Sequence, residues 1–424
     1  MVIILVLTYL CLLAKDTVPI GDAYILRGIS QLLALAGGFL LFLRSGGRMR
    51  LGKYFVLVLY FVSVAISSVL SDEKLYSSLQ VISLGAILFF FVTYLESPGD
   101  KGSKSIALEN TVVWAGTAVC VLSLVAAKLA PSVAYMFTPW MGGVYRFRGI
   151  FGQPAMLAPN AGIVSGIVLF SRRKWPIKVL LAFPALACLV LSGARTFWVG
   201  WVVAAVCAVW WTNRKSRLKI LTLGGFALVV GLLVVSAVRV NSGGMHNRLN
   251  ELVRMESVGD VGGRMSAWRA MLHDFGDHPF FGYGFSVGDE ELSGSRGARS
   301  AVASSSTTGT RQARYTLHNG YLQALLDSGV FGLIFYLLVI SKSQIALLFG
   351  SRKRYATVLF VVIFMAVADL AESVMFTAGT EYSVLGWFYV VFALSLAGRK
   401  VRPLAQQVAA GRSTGPVREA AVPQ

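Results

Sequence analysis

All four histidines of the 424-residue chain, His246, His273, His278 and His318, fall in one polar interruption. It begins after a hydrophobic run that ends near Val238 and closes at Leu317-His318-Asn319-Gly320-Tyr321. His318 stands at the mouth of the apolar run that follows. An imidazole there either exchanges a proton with a reacting group near neutral pH or is satisfied by backbone and water. Asn319 and Tyr321 flank it. Arg195, in Ser192-Gly193-Ala194-Arg195-Thr196, lies between two apolar runs, where a cation needs a partner. A phosphate group suits a guanidinium, which binds oxygens in bidentate fashion and keeps its charge; a salt bridge or a snorkelling side chain is the alternative. Arg146 and Arg148 alternate with aromatics in Tyr145-Arg146-Phe147-Arg148, which fits a phosphate or headgroup contact or an interfacial aromatic belt. Arg264 and Arg269 belong to a stretch in which Met265, Trp268 and Leu272 recur at helical spacing, an amphipathic helix whose basic residues meet anionic lipid. Glu372 and Glu381 are candidate carboxylate partners. Asp327 and Asp369 lie within apolar runs and are expected to face protein. No HExxH, Walker A or GxSxG motif occurs, and acidic residues cluster only at Asp289-Glu290-Glu291, in a Ser/Gly/Thr-rich stretch. Neither a metal nor another cofactor is expected.

The elements that position these groups are membrane helices. The chain is 56% hydrophobic and 14% charged, against roughly a quarter charged in soluble domains. Apolar runs of near-bilayer length recur throughout. About twelve spans are expected: Met1–Ala14, Tyr24–Leu43, Tyr54–Leu70, Leu75–Leu95, Thr111–Leu129, Pro154–Phe170, Val179–Ser192, Thr196–Thr212, Ile220–Val238, Tyr321–Ile340, Tyr355–Met375 and Ser383–Ala397. The first reads as a retained span, since no basic segment precedes it. The fold class is an all-α polytopic bundle with one large extramembrane loop. Residues 1–238 hold nine spans, 239–320 the loop, 321–398 three spans, and 399–424 a solvated tail. Within the loop, His278 to Phe285 reads as a turn that returns aromatics to the membrane surface. Gly329 and Gly332 read as close-packing residues between helices.

The net charge of +19 follows from 39 basic and 20 acidic residues. Clusters such as Arg44-to-Lys53, Arg172-to-Lys178, Arg214-to-Lys219 and Lys342-to-Arg354 all fall on one side of the span count, and the tail joins them. That asymmetry places both termini in the cytoplasm and the long loop outside. No basic stripe interleaved with aromatics suggests nucleic acid. Cys11, Cys120, Cys188 and Cys207 sit within spans and read as small apolar residues. A transporter of lipid-linked sugars would carry paired ionisable groups deep in its spans and inverted repeats, whereas only Arg27, Asp327 and Asp369 are present and no repeat is visible.

Four stretches, in order, resemble the O-antigen ligase and O-antigen polymerase superfamily of bacterial membrane glycosyltransferases. They are Arg148-Gly149-Ile150-Phe151-Gly152-Gln153-Pro154 through Pro159-Asn160; Ser192-Gly193-Ala194-Arg195; Gly263-Arg264 with Trp268 and His278-Pro279-Phe280-Phe281-Gly282-Tyr283-Gly284; and His318-Asn319 with Leu322, Leu325, Gly329 and Gly332. Ala194 stands where many members have Ser, and Gly152-Gln153-Pro154 is a loose version of its segment. The resemblance implies an all-helical fold of the GT-C type and an active site at the periplasmic face of the inner membrane. It implies metal-independent, inverting transfer of a glycan from undecaprenyl diphosphate to an acceptor hydroxyl. The acceptor would be the lipid A core for a ligase, a second lipid-linked repeat for an O-antigen, capsule or exopolysaccharide polymerase, or a protein hydroxyl for a third variant. Arg195, Arg264 and Arg148 would hold the diphosphate and His318 would act on the acceptor hydroxyl, with Arg146, Arg269, Asn319, Tyr321 and Glu381 as secondary candidates. A topology reporter fused at Ser305 is expected to be active only on the outer side of the membrane; cytoplasmic activity would overturn the orientation.

Overall fold

The computed structural model describes residues 2–17, 23–47, 51–98, 101–138, 144–212, 268–269, 271–273, 275–287, 318–348, 355–375 and 379–397. Their elements are α1 (Val2–Thr17), α2 (Ala23–Arg44), α3 (Phe55–Leu70), α4 (Lys74–Glu96), α5 (Lys101–Leu129) and α6 (Pro131–Ala134). A hairpin of β1 (Tyr135–Thr138) and β2 (Val144–Phe147) follows, then α7 (Pro154–Phe170), α8 (Trp175–Leu191), α9 (Arg195–Thr212), α10 (Gly320–Leu348), α11 (Ala356–Ala368) and α12 (Glu381–Leu396). Among the described residues, six helical segments are long and apolar enough to cross a membrane, and α7, α8, α11 and α12 are shorter apolar helices. This is a polytopic helical membrane protein. The expected span Ile220–Val238, most of the long loop and the tail lie outside the described residues.

Several boundaries differ from expectation. The α5 helix starts ten residues earlier than the apolar run, at Lys101, because Lys101 bridges Glu96 at 2.8 Å and donates to the Ser395 carbonyl at 3.2 Å. The span expected to reach Met375 ends as helix at Ala368, where the backbone turns around Asp369. The hairpin is the departure from an all-α fold. Tyr135 pairs with Phe147 and Met136 with Arg146 in antiparallel register. The alternation Tyr145-Arg146-Phe147 has the two-residue period of a strand. It buries Phe147 and leaves Tyr145 exposed.

At the centre stands α12, every residue of which is buried, as expected for a helix apolar on all sides. Its Trp387 stacks on Tyr60 of α3 and meets Tyr336 of α10 edge-on. The periphery exposes Leu32 and Phe39 of α2 and Trp114 and Leu129 of α5, surface suited to lipid. Glycines set the closest helix approaches. A Cβ on Gly162 or Gly166 of α7 would strike the rings of Phe364 and Phe360 of α11.

The long α10 helix is broken at Gly329, whose φ of 66° and ψ of −169° lie outside the helical region. Backbone groups freed inside a membrane protein need internal partners. The loop segment Pro279–Ser286 supplies them. Tyr283 and Gly284 N–H groups donate to the carbonyls of Leu326 and Asp327 at 3.0 Å each, and Val330 N–H donates to the Pro279 carbonyl at 2.9 Å. The buried Asp327 carboxylate accepts from Ser286 N–H and from the Gln323 amide, both at 2.9 Å. The expected surface turn of His278 to Phe285 therefore enters the bundle, and Gly329 is a helix break more than a packing residue. Gly329→Ala places a Cβ about 2.2 Å from the Phe280 carbonyl at positive φ. It should destabilise the protein by about 3 kcal/mol or more, seen as a lower melting temperature in detergent. Gly28→Ala, with nothing within 4 Å, should melt like the wild type or slightly higher.

Candidate active site

His318 precedes α10 with a φ of 47°, so its ring is held by its partners and not by a helix. Its Nδ1 lies 2.8 Å from Glu372 Oε2, and the two side chains are 42% and 21% exposed. An ion pair or a neutral hydrogen bond at that distance fixes the ring either way. The turn is seated by its neighbours. Asn319 Oδ1 accepts from the N–H groups of Tyr321 and Leu322 at 3.0 Å each, the geometry of a helix N-cap. Its Nδ2 donates to the Leu370 carbonyl at 2.9 Å. The Tyr321 hydroxyl donates to the Ala366 carbonyl at 2.7 Å. Both side chains thus serve to dock the mouth of α10 on the end of α11.

Asp369 organises the receiving end. Its carboxylate accepts from Val374 N–H at 2.7 Å and Met375 N–H at 3.0 Å, and from the Tyr336 hydroxyl. Its carbonyl accepts from Gly320 N–H at 2.7 Å. A Cβ at Gly320 would lie 2.6 Å from the carboxyl carbon. Asp369 therefore fixes the turn that carries Glu372 and, on the other side, the residue two positions after His318. Its burial in protein was expected from the sequence; its control of this turn was not.

Arg195 is the first residue of α9. That helix runs against α11, with Phe197 beside Phe364 at 6.2 Å between ring centroids and Gly200 facing the Phe364 carbonyl and Ala368 N–H. Five residues of helix rise, about 7 Å, bring Arg195 from Gly200 to the level of the Leu370–Glu372 turn. The α8–α9 corner is also held from the hairpin, where Arg146 Nη2 donates to the Ser192 carbonyl at 3.4 Å. Arg148 points elsewhere: its Nε donates to the Val133 carbonyl at 2.9 Å and its Nη1 to the Gly152 carbonyl at 3.3 Å. Part of that guanidinium is occupied in shaping the turn before α7.

Of the expected surface helix, Trp268, Arg269 and Met271–His273 are described and helical, while Arg264 lies outside the described residues. The apolar face expected to meet lipid is turned partly to protein. Met271 is fully buried against Leu326, with Trp268, Tyr283 and Leu322 around it, and Leu272 is exposed. A cavity of about 460 Å³ opens between this helix and the mouth of α10. Arg269, Asn319 and Tyr321 line it together with Trp268, Leu272, Leu322 and Leu370. Three of the expected secondary residues thus share one cavity beside His318. Glu381 does not join them: it is buried at the start of α12, near Asp16 and Asn160, and the carboxylate at His318 is Glu372. Sequence spacing alone could not choose between these two acids, because the choice depends on how α11 ends. Among the described residues no group of three or more His, Cys, Asp or Glu side chains is placed to hold a metal ion.

Asp369→Ala leaves two N–H groups and the Tyr336 hydroxyl without their acceptor. It should lower stability by about 3 kcal/mol and broaden the nuclear magnetic resonance signal of the His318 ring; an unchanged melting temperature would remove Asp369 from this role.

A search of curated proteins finds no match to the chain. Residues 180–337, which run from α8 through Arg195 and the long loop to His318 and the break in α10, match the family model described as O-antigen ligase. Over that stretch, somewhat more than a third of its length, the chain is similar to the O-antigen ligase family.

Proposed function

We propose that this protein transfers a glycan from undecaprenyl diphosphate to an acceptor sugar hydroxyl at the periplasmic face of the inner membrane, with the lipid A core as acceptor. The observation that carries the reading is the His318–Glu372 pair at 2.8 Å, set at the same end of the bundle as Arg195. Glu372 engages Nδ1, so the neutral ring keeps its proton there and Nε2 accepts. The acceptor hydroxyl gives its proton to Nε2 as its oxygen attacks the anomeric carbon. The bond from that carbon to the diphosphate breaks on the opposite side, undecaprenyl diphosphate leaves, and the configuration inverts. Glu372 stabilises the imidazolium that forms, as a carboxylate behind a general base does.

The leaving diphosphate gains negative charge as the bond breaks. Fixed cations placed where that charge develops are often the largest contribution to catalysis. In this reading Arg195 and Arg264 hold the diphosphate. Arg148, already oriented by two carbonyls, offers its remaining N–H groups, and Arg146 adds charge from the hairpin. The cavity lined by Arg269, Asn319 and Tyr321 receives the acceptor. Neither a nucleotide nor a metal has a part in it.

Arg195→Ala should abolish transfer with the protein still folded in the membrane. Glu372→Gln should lower the rate at least about tenfold by freeing the ring of its orientation, and His318→Ala should lower it further; near-normal transfer by His318→Ala in a purified assay would end its catalytic role. A deletion strain separates the acceptors on a lipopolysaccharide gel. Loss of all polymer, with free lipid-linked chains accumulating, identifies a ligase. A single-repeat cap on the core identifies a repeat-unit polymerase, and an unchanged ladder points to capsule or exopolysaccharide.

A further inference from the structure

One buried carboxylic acid is left unused by this chemistry. Glu381 of α12, Tyr9 of α1 and Asn160 of α7 are 0%, 2% and 1% exposed. Asn160 Nδ2 reaches Glu381 Oε1 at 3.5 Å, and the Tyr9 hydroxyl lies within the influence of both. Asp16 joins from α1. Its Oδ2 accepts from Glu381 N–H at 3.3 Å, and its Oδ1 pairs with Lys15 Nζ at 2.9 Å. Lys15 also donates to the Gly379 carbonyl. Tyr382 follows on α12, and Glu372, from the turn after α11, acts on Tyr382.

Two separate balances fail in the same place. Lys15 neutralises Asp16, so an ionised Glu381 would leave one negative charge enclosed between α1, α7 and α12, which is costly. The hydrogen bonds are also short of a donor. Glu381 Oε2, Asn160 Oδ1 and the Tyr9 hydroxyl are all buried without a well-formed hydrogen bond, although the Tyr9 hydroxyl approaches Asn160 and the Asp16 carboxylate approaches Glu381. A carboxylate oxygen and an amide oxygen only accept, and Tyr9 brings a single hydrogen, so one oxygen stays unmet. One proton on Glu381 Oε2 corrects both. The neutral acid donates to the amide oxygen of Asn160 while the amide N–H donates back to Oε1, and the excess charge is gone.

We propose that Glu381 is carried as the neutral acid, joined through both oxygens to the Asn160 amide, and that this pair is a positioning contact that fastens the start of α12 to α7, beside the Asp16 contact to α1. The link to the transfer site is mechanical. Trp387 of α12 donates to the Met375 carbonyl at 2.9 Å, in the turn that Asp369 fixes and Glu372 occupies.

Infrared spectroscopy of the full-length protein tests this directly. The wild type near neutral pH should show a protonated carboxylic C=O band, sensitive to deuteration, that is absent in Glu381→Gln. That variant, which keeps a two-rung pair with Asn160, should retain the wild-type melting temperature and transfer within about twofold. Glu381→Ala and Asn160→Leu should melt lower and lose transfer at least about tenfold. Raising the pH should destabilise the wild type as the acid ionises and spare the Gln variant. Identical carboxylic bands in wild type and Glu381→Gln overturn the proposal. So does a wild-type melting temperature that rises with sodium but not potassium and loses that response in the Gln variant, since the site would then hold a cation and not a proton. A band that disappears in Glu381→Gln, in a protein without glycan transfer, leaves this assignment standing and rejects only the transferase reading.

Discussion

A helix that stops inside a bilayer must hand its freed backbone groups to something other than water. In this protein α10 stops at Gly329, and the groups are met by the segment Pro279–Ser286. Much of the structure depends on that exchange. It fixes the segment Pro279–Ser286 to α10. It brings Met271 against Leu326, and so lays the short helix bearing Trp268 and Arg269 beside the mouth of α10. It leaves the first part of α10, from Gly320 to Ser328, as a separate piece, anchored also on the end of α11 and, through Ser67 Oγ to the Asp327 carbonyl at 2.5 Å, on α3.

That anchor is built with the same economy. Asp369 has two oxygens and a carbonyl, and all three are used: for the turn leading to Met375, for Tyr336, and for Gly320. The turn places Glu372 against His318 without a helix to position either residue. A site made from two turns is normally loose. Here both turns are tied to the buried Asp369, one through its carboxylate and the other through its carbonyl, and buried polar groups hold geometry well when they are satisfied.

Much of this was legible in the sequence for simple reasons. Apolar runs of bilayer length mark spans, and Arg195 and His318 are visible because each begins such a run. The Pro–x–x–Gly–x–Gly pattern marks a special backbone, and Gly282 and Gly284 do adopt positive φ. The break in α10 was hidden because Asp327-Ser328-Gly329 is a short polar interruption inside a run of bilayer length; the partner segment of backbone reveals it. The hairpin was written in the alternation around Arg146 but is too short to stand out from an aromatic belt. Arg148 read as a phosphate or headgroup contact or as part of an interfacial aromatic belt, and its two carbonyl partners, from Val133 and Gly152, come from residues on either side of it in the folded turn. Choosing Glu372 over Glu381 required knowing that α11 unwinds at Asp369, which depends on tertiary hydrogen bonds and not on local propensity.

The seam between α9, α11 and α7 has a further meaning. Phe360 and Phe364 lie in parallel at 5.9 Å, against Gly162, Gly166 and Gly200, with the Trp201 indole bonded to Ser165 at 2.9 Å. Rings locked into glycine notches cannot slide by a fraction of a turn, so the height of Arg195 relative to Glu372 is set by protein contacts alone. A thinner or thicker bilayer would be absorbed by tilt of the lipid-facing helices α2 and α5, and the spacing between the cation and the acid would stay the same. The seam acts as an internal ruler between the start of α9 and the end of α11.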